Sequence, residues 1–290
     1  MSDSAELHCG RFRLSLARPR VMGIVNLTPD SFSDGGRFST PSAAIEHARQ
    51  LLEQGADILD LGAESSRPGA QPVSAEEEWR RLEPVLREVV QWNVPVSVDT
   101  AKPQVMRAAI DAGCDMINDI SGFRTPGAVA AVAGSNVAVC IMHMQGEPRT
   151  MQSAPTYEQD VVHTVCSALS SLATNCQRSG ITQHSICLDP GIGFGKNVEH
   201  NLQLASRLSE VAALGYPVLV GWSRKSTLGT ITGRVVGERM PASIAAALHA
   251  AAHGAHILRV HDVRETVDAL KVWQALQQGS LSDLRDNIAP

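Results

Sequence analysis

Long apolar runs are missing from this chain of 290 residues. No stretch approaches the roughly 20 residues a membrane-spanning helix needs. The opening MSDSAELHCGRFRLSLARPR also lacks an apolar core of signal-peptide length, so a soluble, cytoplasmic protein is expected. Lysine is scarce as well. Lys102, Lys196, Lys225 and Lys271 stand against 21 arginines, so a lysine kept beside an arginine, as in Arg224-Lys225, carries information. The six cysteines show no CxxC spacing, which leaves no zinc motif, and Cys140 and Cys187 lie inside apolar runs as reduced small hydrophobes. Blocks of like charge are absent too. With a net charge of −5 spread along the chain, neither a nucleic-acid footprint nor a polybasic membrane patch is present, and any anion must be bound locally.

What is present is 43% hydrophobic residues, enough for one large core or two ordinary ones. Apolar segments of strand length fall at 21–25, 58–61, 95–98, 116–117, 137–142, 186–188, 218–220 and 257–258, and helical patterns fit between them. Helix starts carry caps: Thr40 before Pro41, Ser74 with Glu77, and Thr156 with Gln159. Gly55, Gly113, Gly215 and Gly254 stand shortly before strands, where a left-handed C-cap permits a tight return. Eight such units predict an α/β protein, a single (β/α)8 TIM barrel over 1–290 with its core at about 20–278 and peripheral tails. A doubly wound open sheet is the alternative. The first and second βα loops are long. Segment 26–38 is polar and glycine-containing except for Phe32 and Phe38, two aromatics without an obvious core to join and therefore candidates to cover a ligand.

In a barrel the carboxyl ends of the strands converge on one mouth, and here those ends are polar. They read Asn26, segment 64–67, Asp99, Asn118 with Asp119, His143, Asp189, segment 223–226, and Arg259 with His261. Asp99, Asp189 and Asn118 follow apolar segments, so they are partly desolvated and need donors. A flat heterocycle with an amidine-like edge, such as a pterin or guanine, supplies two adjacent N–H groups to a carboxylate, and Lys225 suits its carbonyl oxygen. Arg67, Arg259 and His261 suit a phosphate or diphosphate, although Arg67 could equally pair with Glu64, and His261 with Asp262. The run from Gly191 to Lys196, GIGFGK, has neither the dinucleotide spacing nor the Walker hydroxyl, and reads as a tight loop with Phe194 as a ring contact. His249 and His253 have metal-ligand spacing but lack a following Glu.

These residues carry a resemblance. The segments MGIVNLTPDSFSDGG, ESSRPGA, PVSVDT, INDISG, MHMQG, LDPGIGFGK, GWSRKS and RVHDV, covering about 20–273, resemble the dihydropteroate synthase family. The resemblance implies a barrel, usually homodimeric, that condenses 6-hydroxymethyl-7,8-dihydropterin diphosphate with 4-aminobenzoate in the presence of Mg²⁺. By the same resemblance Asp99, Asn118, Asp189 and Lys225 hold the pterin, with Ile120, Met142 and Gly221 also lining the substrate. Asn26, Arg67, Arg259 and His261 hold the diphosphate, and Asn26 meets the metal. Arg67, Lys225, Arg259 and His261 are the catalytic set it implies, while Ser66, Pro68, Phe194 and Ser226 line the aminobenzoate subsite. Ser66 replaces a frequent Thr and Ala63 a frequent Gly, small changes that touch only loop geometry. Two other readings share the pocket: a pterin-binding methyltransferase barrel without an anion site, and a non-catalytic pterin-binding paralogue.

Overall fold

The computed structural model describes residues 6–28, 40–65, 71–146, 150–152 and 155–279. Its parallel strands are β3 (Arg20–Asn26), β4 (Ile58–Gly62), β5 (Val96–Asp99), β6 (Met116–Asp119), β7 (Ala138–Met142), β8 (Ile186–Asp189), β9 (Leu219–Val220) and β10 (Ile257–Val260). They lie in the order β8-β7-β6-β5-β4-β3-β10-β9, and a bridge from Leu188 to Val218 joins the two ends. The Leu188 N–H reaches the Pro217 carbonyl at 2.8 Å, so the circle closes and the open-sheet alternative falls.

Between the strands run α1 (Pro41–Glu53), α2 (Ala75–Val89), α3 (Pro103–Asp111), α4 (Ala128–Val132), α5 (Val161–Arg178), α6 (Val198–Ser206), α7 (Leu208–Ala212), α8 (Ser226–Thr232) and α9 (Met240–Ala252), with α10 (Val263–Gln278) after the last. Thr40 and Ser74 cap α1 and α2 as their sequences predict, each side chain accepting an N–H three residues on. Thr156 does not. The helix after it begins at Val161, where the apolar stripe of Val161, Val162 and Val165 begins, and Asp160 accepts the His163 N–H at 2.8 Å. Gly55, Gly113, Gly215 and Gly254 all have positive φ, between 80° and 99°, at the helix-to-strand returns.

Strand residues alternate between two cores. Leu59, Leu61, Val96, Val98, Ile117, Val139, Ile141, Leu188 and Leu258 face the helices. The alternate set, Met22, Ile58, Met116, Ala138, Cys140, Cys187, Leu219 and Ile257, fills the lower barrel interior. Two residues further along β4, β6, β7, β8 and β10, the same interior face presents Asp60, Asn118, Met142, Asp189 and Arg259, and Gly221 directly follows β9. The strands thus run through the polar residues, with Gly62 opposite Asp99 and Asp99 opposite Asn118, rather than stopping before them.

Two short strands precede the barrel. The antiparallel pair β1 (Glu6–Cys9) and β2 (Phe12–Ser15) turns at Gly10, whose φ is 56° and where a Cβ would collide with Asp115. Leu7, Cys9 and Leu16 join the lower interior cluster and plug the barrel floor. Arg11 fixes the plug: its Nε and Nη2 donate to Asp115 at 2.9 and 2.8 Å, and Nη1 to the Val90 carbonyl at 2.7 Å.

Candidate active site

At the mouth the interior face becomes ionic. Arg259, from β10, crosses the barrel and donates Nε to Asp60 Oδ2 at 2.6 Å and Nη2 to Asp99 Oδ2 at 2.8 Å. Asp60 is fully buried and its Oδ1 has no hydrogen-bond partner, while Asn118 Nδ2 stands 3.5 Å from its Oδ2. Burial works against the charge on Arg259, but Asp60 and Asp99 outweigh it and raise the guanidinium pKa further. Burial lifts the Asp99 carboxyl to about 7, with Arg259 opposing and Asp60 assisting. One arginine therefore serves two acids.

Across the mouth, Asp189 accepts the Gly191 N–H at 2.7 Å, and burial raises its pKa against the pull of Lys225. Lys225 donates to the Ile192 carbonyl and lies 4.7 Å over the Phe194 ring. Burial lowers its pKa to about 8, with Asp189 opposing. The turn that delivers Lys225 is unusual. Arg224 has φ of 60°, its N–H is held by Ser243 Oγ at 2.9 Å, and its carbonyl by Arg239 at 3.1 Å. Gly221 leaves bare backbone between Arg259 and Lys225.

An apolar wall stands beside these charges: Met142, Met144 and Met151 pack with Ile120 and Phe194. Ile120, Met142 and Phe194 stand here as the resemblance implies, whereas Met144 and Met151 were not anticipated. Met144 follows Met142 by two, the period that keeps a strand residue on one face. Asp99 and Asn118 on one side, Asp189 with Lys225 on the other, and sulfur and aromatic atoms beside them suit a flat heterocycle.

His261 is held by Ser223, whose Oγ lies 2.9 Å from Nδ1 and accepts the His261 backbone N–H at 3.2 Å. The acid next in sequence, Asp262, binds Arg224 at 2.6 Å. Asn26 ends β3 opposite Gly62, and Ser226 opens α8 as an exposed residue. Ser66, Arg67 and Pro68 lie outside the described residues, as do Phe32 and Phe38. Glu64, at the start of that second loop, accepts Lys102 Nζ at 2.5 Å and the Val73 N–H at 3.0 Å. Lys102 also binds the buried Glu78 at 2.5 Å. Asp119 faces away from the mouth and holds the Ser121 and Phe123 N–H groups, both at 2.7 Å.

Sequence reasoning missed two buried polar residues here. Asp60, a lone acid inside the apolar run ILDLG, was visible as an interruption of period two. Lys196, only 2% exposed, lies beside the buried His143, its Nζ 3.0 Å from His143 Nδ1. Burial lowers the Lys196 pKa to about 7, with Asp189 opposing, and lowers that of His143 to about 3, with Lys196 contributing.

Fold and site together define a barrel of the enzyme type, with a polar mouth suited to a flat heterocycle. The chain belongs to the pterin binding enzyme family, whose profile matches residues 22–261. It is 52% identical over 274 residues to a dihydropteroate synthase of Neisseria meningitidis serogroup B, covering 92% of this chain and 96% of that one. Among solved structures it is similar to Xanthomonas albilineans dihydropteroate synthase with 4-aminobenzoic acid, at TM-score 0.89 and 51% identity over 94% of this chain and 98% of that chain. It is likewise similar to Burkholderia cenocepacia dihydropteroate synthase complexed with 7,8-dihydropteroate, at TM-score 0.88 and 47% identity over 95% and 97% of the two chains.

Proposed function

We propose that this mouth condenses 6-hydroxymethyl-7,8-dihydropterin diphosphate with 4-aminobenzoate, giving 7,8-dihydropteroate and diphosphate. The observation that carries the reading is the mouth itself: Asp99 and Asn118 across from Asp189 and Lys225, with Arg259 and His261 at the end of β10 and the Met142–Phe194 wall beside them. The pterin amidine edge donates to the acids, and Lys225 donates to the ring carbonyl.

The reaction needs no protein nucleophile. The methylene C–O bond breaks with its electron pair leaving on diphosphate, the electron-rich dihydropterin bears the positive charge on carbon, and the arylamine nitrogen forms the new bond and releases a proton to solvent. Arg259 and His261 stabilise charge on the leaving group, each charge-assisted hydrogen bond contributing about 1.5 to 3 kcal/mol. Arg67 is assigned to the same anion, and Ser66, Pro68 and Ser226 to aminobenzoate, a subsite that a sulfonamide of the same shape also fits. The half-buried Asn26 offers one hard oxygen donor, and no group of three His, Cys, Asp or Glu among the described residues makes an all-protein cage. That donor set fits Mg²⁺ shared with substrate oxygens, and the ion would neutralise diphosphate charge.

A homodimer is part of the same reading. Ile231, Val235 and Val236, exposed at 56%, 65% and 55%, give an apolar surface between α8 and α9 that a second copy would cover, which sedimentation would test. A cytoplasmic setting agrees with six free cysteines and with the absence, among the described residues, of a helix fit to cross a membrane. The deciding experiment supplies pterin diphosphate, aminobenzoate and Mg²⁺ and looks for dihydropteroate. Pterin binding without diphosphate release would overturn the reading.

A further inference from the structure

Successive carbonyls from Gly191 to Gly195 each receive a hydrogen from a side chain. Lys196 Nζ donates to Gly191 and Phe194 at 3.0 Å each, Lys225 to Ile192, Gln152 to Gly193, and the Tyr157 hydroxyl to Gly195 at 3.0 Å. The Gly193 N–H is taken by Asn201 Oδ1 at 2.8 Å. The loop is also pressed against the end of β7: a Cβ on Gly191 would collide with the His143 carbonyl, and one on Gly195 with the Gln145 carbonyl. Lys196 Nζ crosses that seam to the His143 carbonyl at 3.2 Å and His143 Nδ1 at 3.0 Å.

A lysine this deeply buried is rare unless its ammonium is fully hydrogen-bonded, and here backbone carbonyls on both sides of the seam surround it. Removing the ammonium leaves those carbonyls turned toward one another without a donor. The Gly191 and Phe194 carbonyls among them belong to the same loop as the Ile192 carbonyl and the Phe194 ring, which both contact Lys225. Lys196 itself is 2% exposed, its Nζ enclosed by loop and β7-end carbonyls.

We propose that Lys196 is a positioning residue for the pterin, acting through the Gly191–Gly195 backbone to set Lys225; the inference rests on the pterin reading of the mouth. Its test is a double-mutant cycle on the full chain with Lys196→Met, Lys225→Met and the pair, titrating 6-hydroxymethylpterin by calorimetry and, separately, Mg²⁺-diphosphate. Lys196→Met should weaken pterin binding about tenfold in the wild-type background and by less than about twofold once Lys225 is gone, because coupled residues fail to add. Diphosphate affinity should not change, since Arg259 stands on β10 and His261 directly follows it. Equal losses in both backgrounds, or equal losses for pterin and diphosphate, would mean general loosening and overturn the proposal. Should Lys196→Met fail to fold, Tyr157→Phe loosens the same loop without stranding buried carbonyls around a missing charge. It should show the same coupling to Lys225, and unchanged pterin affinity there would also overturn the proposal. A wild-type protein that binds no pterin would instead remove the proposed function, so the two failures are distinguishable.

Discussion

Arg259 illustrates how much one side chain can carry. Its planar fork spans Asp60 at 2.6 Å and Asp99 at 2.8 Å, a geometry that a single ammonium cannot reproduce. Arg259→Lys should therefore lower kcat/KM by at least about tenfold through the lost anion fork. It should also lower stability by about 1 to 3 kcal/mol, because the fully buried Asp60 loses its Nε donor. Steady-state kinetics and urea unfolding check the two effects separately, and turnover near wild type would remove the anion role. Arg259 was legible in the sequence because it interrupts an apolar strand at the mouth. Its two partners were not equally so: Asp99 closes its strand, whereas Asp60 lies inside one, and only the register reveals that both face inward. His143 makes a second residue-scale prediction. Folded, it ionises near pH 3, while in the unfolded chain it does so near its ordinary value of about 6.5. Between those values the unfolded state binds the extra proton, so stability falls as pH falls, by up to about 1.4 kcal/mol per pH unit. Asp99, whose pKa is raised, acts in the opposite sense over the same range, which is why the comparison must be between proteins that both keep it. Acidification from pH 6 to pH 4 should cost wild type about 2 to 3 kcal/mol more than His143→Gln, by denaturant unfolding at each pH. Parallel pH curves would place a protonated imidazole in the folded state.

At the scale of elements, the barrel strands were readable because buried parallel strands are apolar on both faces and alternate with capped helices. The hairpin was not. Its strands have four residues each, one with buried Leu7 and Cys9 and the other largely half-exposed, too short for any periodic signal to rise above a tail. Gly10 was its one local clue. The misplaced start of α5 has a similar origin: Thr156-Gln159 matches the capping-box spacing, yet the competing cap Asp160 stands directly before the apolar stripe and takes the N–H. Because the hairpin seals the floor and the chemistry lies at the mouth, damage to one should spare the other. Leu7→Ala, which opens a cavity against Met22, Ile58 or their neighbours in the lower cluster, should destabilise by about 2 to 5 kcal/mol. KM for both substrates should stay within about twofold, since mutations at distant, unshared sites act independently. Thermal melts and kinetics on the same preparation check this. A raised pterin KM would show that the floor shapes the mouth.

For the whole molecule, register converts eight separate strands into two chemically distinct ends, an apolar floor and an ionic mouth, and that division was visible once polar residues recurred at every strand end. The connections across the mouth were not visible, because they join residues far apart in sequence, as Arg259 and Asp60 are. Those connections imply coupling between the two ligands. Asp99 and Arg259 hydrogen-bond each other at 2.8 Å. A pterin ring donating to Asp99 competes with Arg259, and a diphosphate accepting from Arg259 competes with Asp99. Either ligand alone must displace one partner and leave the other short of its hydrogen bond; both together satisfy the two groups released. Asp60 keeps Arg259 in place throughout. Pterin and Mg²⁺-diphosphate should therefore each tighten the other's binding by the same factor, at least about tenfold, or about 1.4 kcal/mol of coupling. Calorimetric titrations in both orders measure that factor, and reciprocity requires the two orders to agree. Asp99→Asn should reduce the coupling to near unity while leaving diphosphate affinity intact or improved, because a neutral amide holds the guanidinium weakly. Independent binding in the wild type would mean that Arg259 serves both groups at once and that its contact with Asp99 persists in the loaded mouth.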